Sequence, residues 1–224
     1  VVRDAQRPGW PVYSASVRTR GGEGPDVRLR SLMRKDGKLW RHYRMEDERF
    51  LRPVEPTVMG SWEAAHSAGQ WRRVWSNLHF LARRGQLVPA AIEVDGQFAG
   101  QLTLGNIQYG VVSTCWIGYW VYSPFTGMGV ASAAVALGVD HAMGNMGLHR
   151  VEATVMEDNS ASRTVLGRAG FREEGYLQRN LHINGRWQDH ILMAITREEV
   201  FTAEFKGLIP RKVRAGELQL SSLN

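Results

Sequence analysis

The chain reads as an α+β protein, an α/β layer built on one mostly antiparallel sheet of about seven strands flanked by helices. Three observations predict it. The early part of the chain carries apolar residues at helical steps, whereas the later part is dominated by β-branched and aromatic runs. Asp95-Gly96 and Asn184-Gly185 each join two such runs, as hairpin turns do. Between them, a strand pattern at Thr114–Tyr122 passes directly into a helical one.

Residues 1–25 are rich in Gly, Pro, Arg and Ser and show little periodicity, so they are expected to be an irregular extension. Val27, Leu29 and Leu32 mark a first strand. From Lys35 to Leu51, residues Leu39, Tyr43, Met45, Phe50 and Leu51 sit at loosely helical spacing, until Pro53 and Pro56 break the pattern. Trp62 to Arg84 reads as one long amphipathic helix, with Trp71, Trp75, Leu78 and Leu81 on its apolar stripe and Gly85 as C-cap. Ala90–Val94 and Phe98–Leu104 form the first hairpin. Gly129–Met143 is helical, Arg150–Val155 a strand, and Ser160–Ala169 a helix stopped by Gly170. Phe171–Ile183 and Trp187–Ile195 form the second hairpin. The domain is drawn at 26–200, followed by a basic tail at 201–224 that carries Arg211, Lys212 and Arg214 and that can dock on the body, contact a partner or stay loose.

The 224 residues fit one domain with extensions, and 43 % hydrophobic residues suffice for a sizeable core. No apolar run approaches the roughly 18 residues of a membrane span, and residues 1–9 lack the apolar stretch of a signal peptide. Cys115 is the only cysteine, which excludes an intrachain disulfide and a multi-Cys zinc site. No metal is expected, and the localisation expected is cytoplasmic. Lys and Arg number 28 and Asp and Glu 22, a net charge of +6. That balance fits a polyanionic partner or an ordinary surface equally, and fixes no function.

Thr126 to Ala131 carries the chemistry. It follows a strand pattern and opens a helix, where unpaired backbone N–H groups and the helix dipole favour an anion. Gly127 and Gly129 let the backbone approach phosphate oxygens without any charged side chain. Taken alone, two glycines also fit a plain strand–turn–helix corner. A Walker loop is excluded because Val130-Ala131 replaces its Lys-Ser/Thr, and a dinucleotide fingerprint because Ser132 stands at its third glycine.

The stretch Trp120-Val121-Tyr122-Ser123-Pro124-Phe125-Thr126-Gly127-Met128-Gly129-Val130-Ala131 resembles motif A of the GNAT superfamily, Gln/Arg-x-x-Gly-x-Gly/Ala. Asn159-Ser160-Ala161-Ser162 through Gly170-Phe171 is similar to its downstream motif. Gly170–Tyr176 and Ile183–His190 are similar to the RimJ-type ribosomal-protein alanine N-acetyltransferases. Phe50-Leu51-Arg52-Pro53-Val54-Glu55-Pro56 resembles that branch's early Phe-Leu-x-Pro-Trp-Glu-Pro element. The resemblance covers residues 27 to 200. It departs in two places: Thr126 at the start of the cradle carries no charge, and Val54 stands where the branch has Trp. Loss of a charge-assisted contact leaves cofactor affinity reduced or the charge supplied by another Arg.

The resemblance implies a GNAT-like fold and transfer of acetyl from acetyl-CoA to an amine, by direct attack in a ternary complex. Carried over by motif, backbone groups of Trp120, Val121 and Tyr122 pair with pantetheine, and one near Val121 polarises the thioester. Thr126, Gly127, Met128, Gly129, Val130 and Ala131 hold the pyrophosphate. Asn159 bonds pantetheine, with a helix-entry turn residue as the plain alternative. Ser162 assists thiolate departure, with a helix-start hydroxyl as its alternative. The branch's late-strand Glu base falls on Leu181 and does not transfer. Glu55, Tyr119, His182 and Asp189 remain candidates, while Cys115 reads as a strand residue because no adjacent base is identifiable. An α-amine titrates near 7.7–8.0, so about a tenth is neutral at pH 7, far more than of a lysine. Lack of a clear base therefore fits an N-terminal acceptor.

The expected partner is a protein N-terminus, ribosomal by resemblance, with the basic tail open to rRNA contact, no membrane, and a monomer or homodimer. Acetylation of a small amine (amino acid, polyamine or aminoglycoside) and a non-catalytic acyl-CoA- or ribosome-binding module stay open.

Overall fold

The structure, a computed structural model, describes residues 9–221. Nine strands form one sheet in the order β7-β8-β6-β5-β4-β3-β2-β1-β9. They are β1 (Val17–Arg18), β2 (Asp26–Ser31), β3 (Val88–Val94), β4 (Gln97–Gln108), β5 (Thr114–Val121), β6 (Arg150–Val155), β7 (Arg172–Ile183), β8 (Arg186–Thr196) and β9 (Gln219–Leu220). The seven strands expected are β2 to β8; the flanks add β1 and β9. Both hairpin turns put their two central residues at positive φ, +48° and +81° at Asp95-Gly96 and +44° and +86° at Asn184-Gly185. That is the backbone a tight turn between twisted strands requires.

Every pairing is antiparallel except β5 with β6. That parallel ladder joins only Thr114, Cys115 and Trp116 to Arg150, Val151 and Glu152. Beyond Trp116 the two strands splay. β5 continues to Val121 paired to β4 alone, and β6 continues to Val155 paired to β8 alone. The sheet thus opens into a wedge at its centre.

The helices are α1 (Gly37–Glu46), α2 (Glu48–Leu51), α3 (Trp62–Ala65), α4 (Ala68–Arg83), α5 (Val130–Asp140), α6 (Ser160–Ala169), α7 (Arg197–Val200) and α8 (Leu208–Arg214). The single helix expected over Trp62–Arg84 is two, because Ser61 and Ser67 each cap a separate start. Ser61 Oγ accepts from Ala64 N (3.1 Å) and Ser67 Oγ from Gln70 N (3.3 Å). The His66 ring is held at 2.7 Å from the Trp62 carbonyl oxygen, fixing the break.

Helix α5 is buried nearly all round, from Ala133 to Val139, between the sheet and α6 and α8. Gly138 permits this approach: a Cβ there would lie 3.0 Å from Leu102 Cδ1 and 3.2 Å from Ile117 Cδ1. A π-helical turn, His141–Asn145, prolongs α5. A second, aromatic cluster of Trp40, Tyr43, Trp62, Trp71, Phe98 and Trp120 fills the space between the sheet and helices α1, α3 and α4.

The flanks are built into this frame. Of the extension expected to be irregular, residues 9–25 supply β1, which pairs with β2 and β9; residues 1–8 lie outside the described residues. The tail expected at 201–224 folds as α8 and β9, with residues 222–224 outside. Asp140, at the end of α5, accepts from Leu208 N (2.6 Å) and Ile209 N (2.9 Å) and so starts α8. Lys212 is buried, donating from Nζ to the Arg168 carbonyl (3.1 Å) and to Glu217 (2.6 Å). Arg214 pairs with Glu204 and Arg211 with the Glu199 carbonyl. Docking on the body, one of the outcomes the sequence leaves open for this tail, is what these contacts show, whereas residues 9–25 are more ordered than expected. Non-local pairing explains the difference: periodicity cannot report a two-residue strand whose partner is 200 residues away.

Candidate active site

The wedge between β5 and β6 leads to the predicted cradle. Trp120 and Val121 end β5; Tyr122 N donates to the Ala99 carbonyl at 2.8 Å. Ser123-Pro124-Phe125 then form a 3₁₀ turn. Asp47, buried at the end of α1, locks this turn by accepting from Ser123 N (2.7 Å) and Ser123 Oγ (2.6 Å). Gly127 and Gly129 both have left-handed backbone, φ +73° and +82°. Gly129 is the N-cap of α5, and the first intrahelical bond runs from Ala133 N to its carbonyl (3.0 Å). The N–H groups of Val130, Ala131 and Ser132 therefore lie at the helix mouth with no intrahelical partner. Gly127, Gly129 and Thr126 are exposed, Met128 is half-buried and Val130 buried. The cradle is an exposed backbone turn at the mouth of α5.

Thr126 does not face a phosphate with its hydroxyl. Oγ1 donates to the Ser123 carbonyl at 2.7 Å and closes the turn. Aligned on Gly127 and Gly129, the leading Gln/Arg position of the motif falls on Pro124 rather than Thr126. Neither residue carries charge.

Asn159 and Ser162 start α6. Asn159 Oδ1 accepts from Ser162 N (3.1 Å), so its oxygen serves as the helix cap and its amide N–H groups are what it has left to offer a ligand. Ser162 is half-buried and lies by Tyr119 of β5. Tyr119 Oη is buried and makes no hydrogen bond within bonding geometry. Burial pushes its pKa up to about 12, and nearby Ser162 lowers it only in part. The phenol therefore stays protonated at neutral pH. Ser162 is the neighbouring group this hydroxyl faces.

Of the other candidates for the base, Glu55 and Asp189 are engaged. Glu55 is ion-paired with Arg44, accepting from Nη2 at 2.8 Å and also from Nη1. Arg44 is itself buried, its guanidinium carbon 4.9 Å from the Trp40 ring centroid and 4.8 Å from that of Trp120. Trp120 Nε1 and Arg44 Nε are buried without partners. Asp189 accepts from Arg179 N (2.7 Å) and Tyr176 Oη (2.8 Å), which hold its carboxyl below the usual range. It fastens the bulge between Leu177 and Leu181. His182 and Leu181 are exposed on β7, with His182 edge-on to Trp187 and its carbonyl accepting from Thr57 N (2.8 Å). That bond docks the late hairpin on the Pro53–Thr57 loop. Cys115 is buried and its thiol is raised to about 12 by desolvation, with Glu152 adding to the effect, so no thiolate is available there.

Sequence reasoning missed Arg44 and Asp47, and also Arg20, whose Nη2 donates to the Gly127 carbonyl at 2.9 Å. Arg44 lies four residues after Trp40, on the same helical face, a spacing that could have drawn attention to it. Nothing in the sequence connects Asp47 to Ser123 or Arg20 to the cradle.

A family model described as "Acetyltransferase (GNAT) domain" matches residues 26–172. The chain is 29 % identical over 170 residues to the [ribosomal protein uS5]-alanine N-acetyltransferase of Escherichia coli K12, covering 72 % of this chain and 84 % of that one. It is 42 % identical over 101 residues to the probable N-acetyltransferase YjcK of Bacillus subtilis, a match covering 45 % of this chain and 56 % of that relative, about half its length. The structure superposes on Mycobacterium smegmatis RimJ in complex with CoA-disulfide with a TM-score of 0.90 and 41 % identity, covering 96 % of this chain and all of that one. The open wedge, the backbone cradle and the family match agree, and the chain belongs to the GNAT acetyltransferase family, in its RimJ-type branch, as an acetyl-CoA-dependent N-acetyltransferase.

Proposed function

We propose that the protein transfers acetyl from acetyl-CoA to the α-amine of a protein N-terminus, an alanine of a ribosomal protein, by direct amine attack. The observation that carries this is the wedge. β5 from Ile117 to Val121 has no strand partner on its β6 side, and it runs straight into the Gly127–Ala131 cradle. An extended pantetheine arm fits such an open edge as an added strand, with its pyrophosphate at the mouth of α5. On this reading the Asn159 amide N–H groups, left over from its capping bond, donate to the arm.

On this reading, a backbone N–H near Val121 stabilises the oxyanion as the amine attacks the thioester carbon. The C–S bond then breaks, and the thiolate takes a proton from Ser162 or from Tyr119, which burial keeps protonated. With Glu55 and Asp189 both engaged, the amine loses its proton to water, and water returns one to the donor oxygen. An α-amine tolerates this because a usable fraction is neutral at pH 7. The setting this implies is the cytoplasm, where ribosomal proteins are made; among the described residues no helix is long and apolar enough to cross a membrane.

The test is intact-mass analysis of an Ala-starting ribosomal-protein peptide incubated with the purified protein and acetyl-CoA, beside spermidine and free amino acids. The expected result is one acetyl on the α-amine of the peptide. Turnover confined to the small amines would overturn the acceptor.

A further inference from the structure

The cradle has no countercharge of its own. Ser123 to Ala131 contains no Lys or Arg, and Asp47 is bonded to its first residue. A pyrophosphate held there by backbone N–H groups alone sits beside a buried carboxylate. Among the described residues the Arg20 guanidinium reaches this place, and it comes from outside the family match. Arg20 Nη2 donates to the Gly127 carbonyl at 2.9 Å. Arg20 is exposed, and among the described residues no carboxylate pairs with it. Most of its N–H donors are thus unspent.

The segment that brings it is fixed from several sides. Thr19 is buried, with its hydroxyl unpartnered, and packs under Gly129, where a Cβ would stand 3.2 Å from Thr19 Cβ. Gly21 N donates to the Glu217 carbonyl (3.0 Å), and Gly22 N and Gly24 N both donate to the Thr19 carbonyl (3.0 and 2.9 Å). β1 pairs with β2 on one side and with β9 on the other. Arg20 itself has φ +51°, a backbone that a residue other than Gly rarely adopts. The two ends of the domain clasp each other and present this one side chain at the rim of the cradle.

We infer that Arg20 is a cofactor-binding residue whose guanidinium pairs with the pyrophosphate of acetyl-CoA. The inference rests on the cradle being the pyrophosphate site. The guanidinium fork bonds phosphate oxygens in pairs, and such contacts are stronger than neutral ones.

The experiment is calorimetric binding of CoA and of 3′-dephospho-CoA to the full chain, as wild type, R20A, R20K and G129V, each checked by circular dichroism for a native fold. R20A should weaken both ligands by the same factor, roughly 5- to 50-fold, with a matching rise in KM for acetyl-CoA and a shallower salt dependence of binding. R20K should recover part of the loss. Wild-type affinity in R20A, with binding abolished in G129V, would remove Arg20 from the site and keep the cradle. A loss confined to CoA would assign Arg20 to the 3′-phosphate and overturn the pyrophosphate contact. Unchanged CoA affinity in folded G129V would instead overturn the cradle reading itself.

Discussion

Arg44 grips the Glu55 carboxylate with both terminal nitrogens, and its planar head lies between the rings of Trp40 and Trp120. The arrangement puts a charged pair against the strand that ends at the cradle. Removing Glu55 leaves a guanidinium buried without its partner.

Glu55→Gln is therefore expected to cost stability first, by about 1–3 kcal/mol in denaturant unfolding. Activity per folded molecule should fall less than about tenfold, and the pH–rate profile should keep its acidic limb. A lost acidic limb in a fully folded variant would instead make Glu55 the base.

Tyr119 presents the opposite balance. Its hydroxyl is buried and unpartnered, so Tyr119→Phe removes a desolvated group and should leave the melting temperature unchanged or raise it. If the phenol donates to the departing thiolate, kcat should drop roughly 10- to 100-fold despite the intact fold. Ser162→Ala should show a comparable loss, and the double variant should lose less than the product, because the two groups adjoin. Steady-state kinetics of the three variants decide this.

The two cradle glycines should differ. Both have φ that a Cβ disfavours, by about 1–2 kcal/mol. A Cβ at Gly127 meets open space, whereas one at Gly129 crowds Thr19 at 3.2 Å. Gly129→Ala should destabilise more than Gly127→Ala. Thermal melts of the wild type and the two variants check the order.

Asp140 predicts a pH effect remote from the active site. Desolvation raises its carboxyl to about 6, against the backbone donors of Leu208 and Ile209 that lower it. The folded pKa exceeds the unfolded value near 3.9, so the folded state holds the proton longer. Its contribution to stability is fully present below pH 4 and is lost as pH rises through about 6. The wild-type minus Asp140→Asn difference in unfolding free energy should therefore fall by roughly 2–3 kcal/mol between pH 4 and pH 7. A flat difference would show that the capping bonds cancel the burial.

The order of elements from Val27 to Ile195 was legible in the sequence because local forces set it. Asp95-Gly96 and Asn184-Gly185 need left-handed turns, Gly170 stops a helix, and strand and helix periods differ. The cradle was legible for the same reason: Gly127 and Gly129 act through their own backbone, next to a helix start that the sequence announces. Asn159 and Ser162 were named by their motif, and the structure shows the first capping α6 through the backbone of the second. What pairs these pieces across the chain was not legible. That Thr126 spends its hydroxyl on Ser123, that Glu55 is taken by Arg44, and that Arg211, Lys212 and Arg214 fasten a helix to the body are consequences of packing. So is the meeting of Arg20 with Gly127, 107 residues apart in the chain. Local conformation follows from the residues on either side of a bond, whereas the partner of a charge or an orphan hydroxyl depends on which distant segments the sheet order β7-β8-β6-β5-β4-β3-β2-β1-β9 brings together.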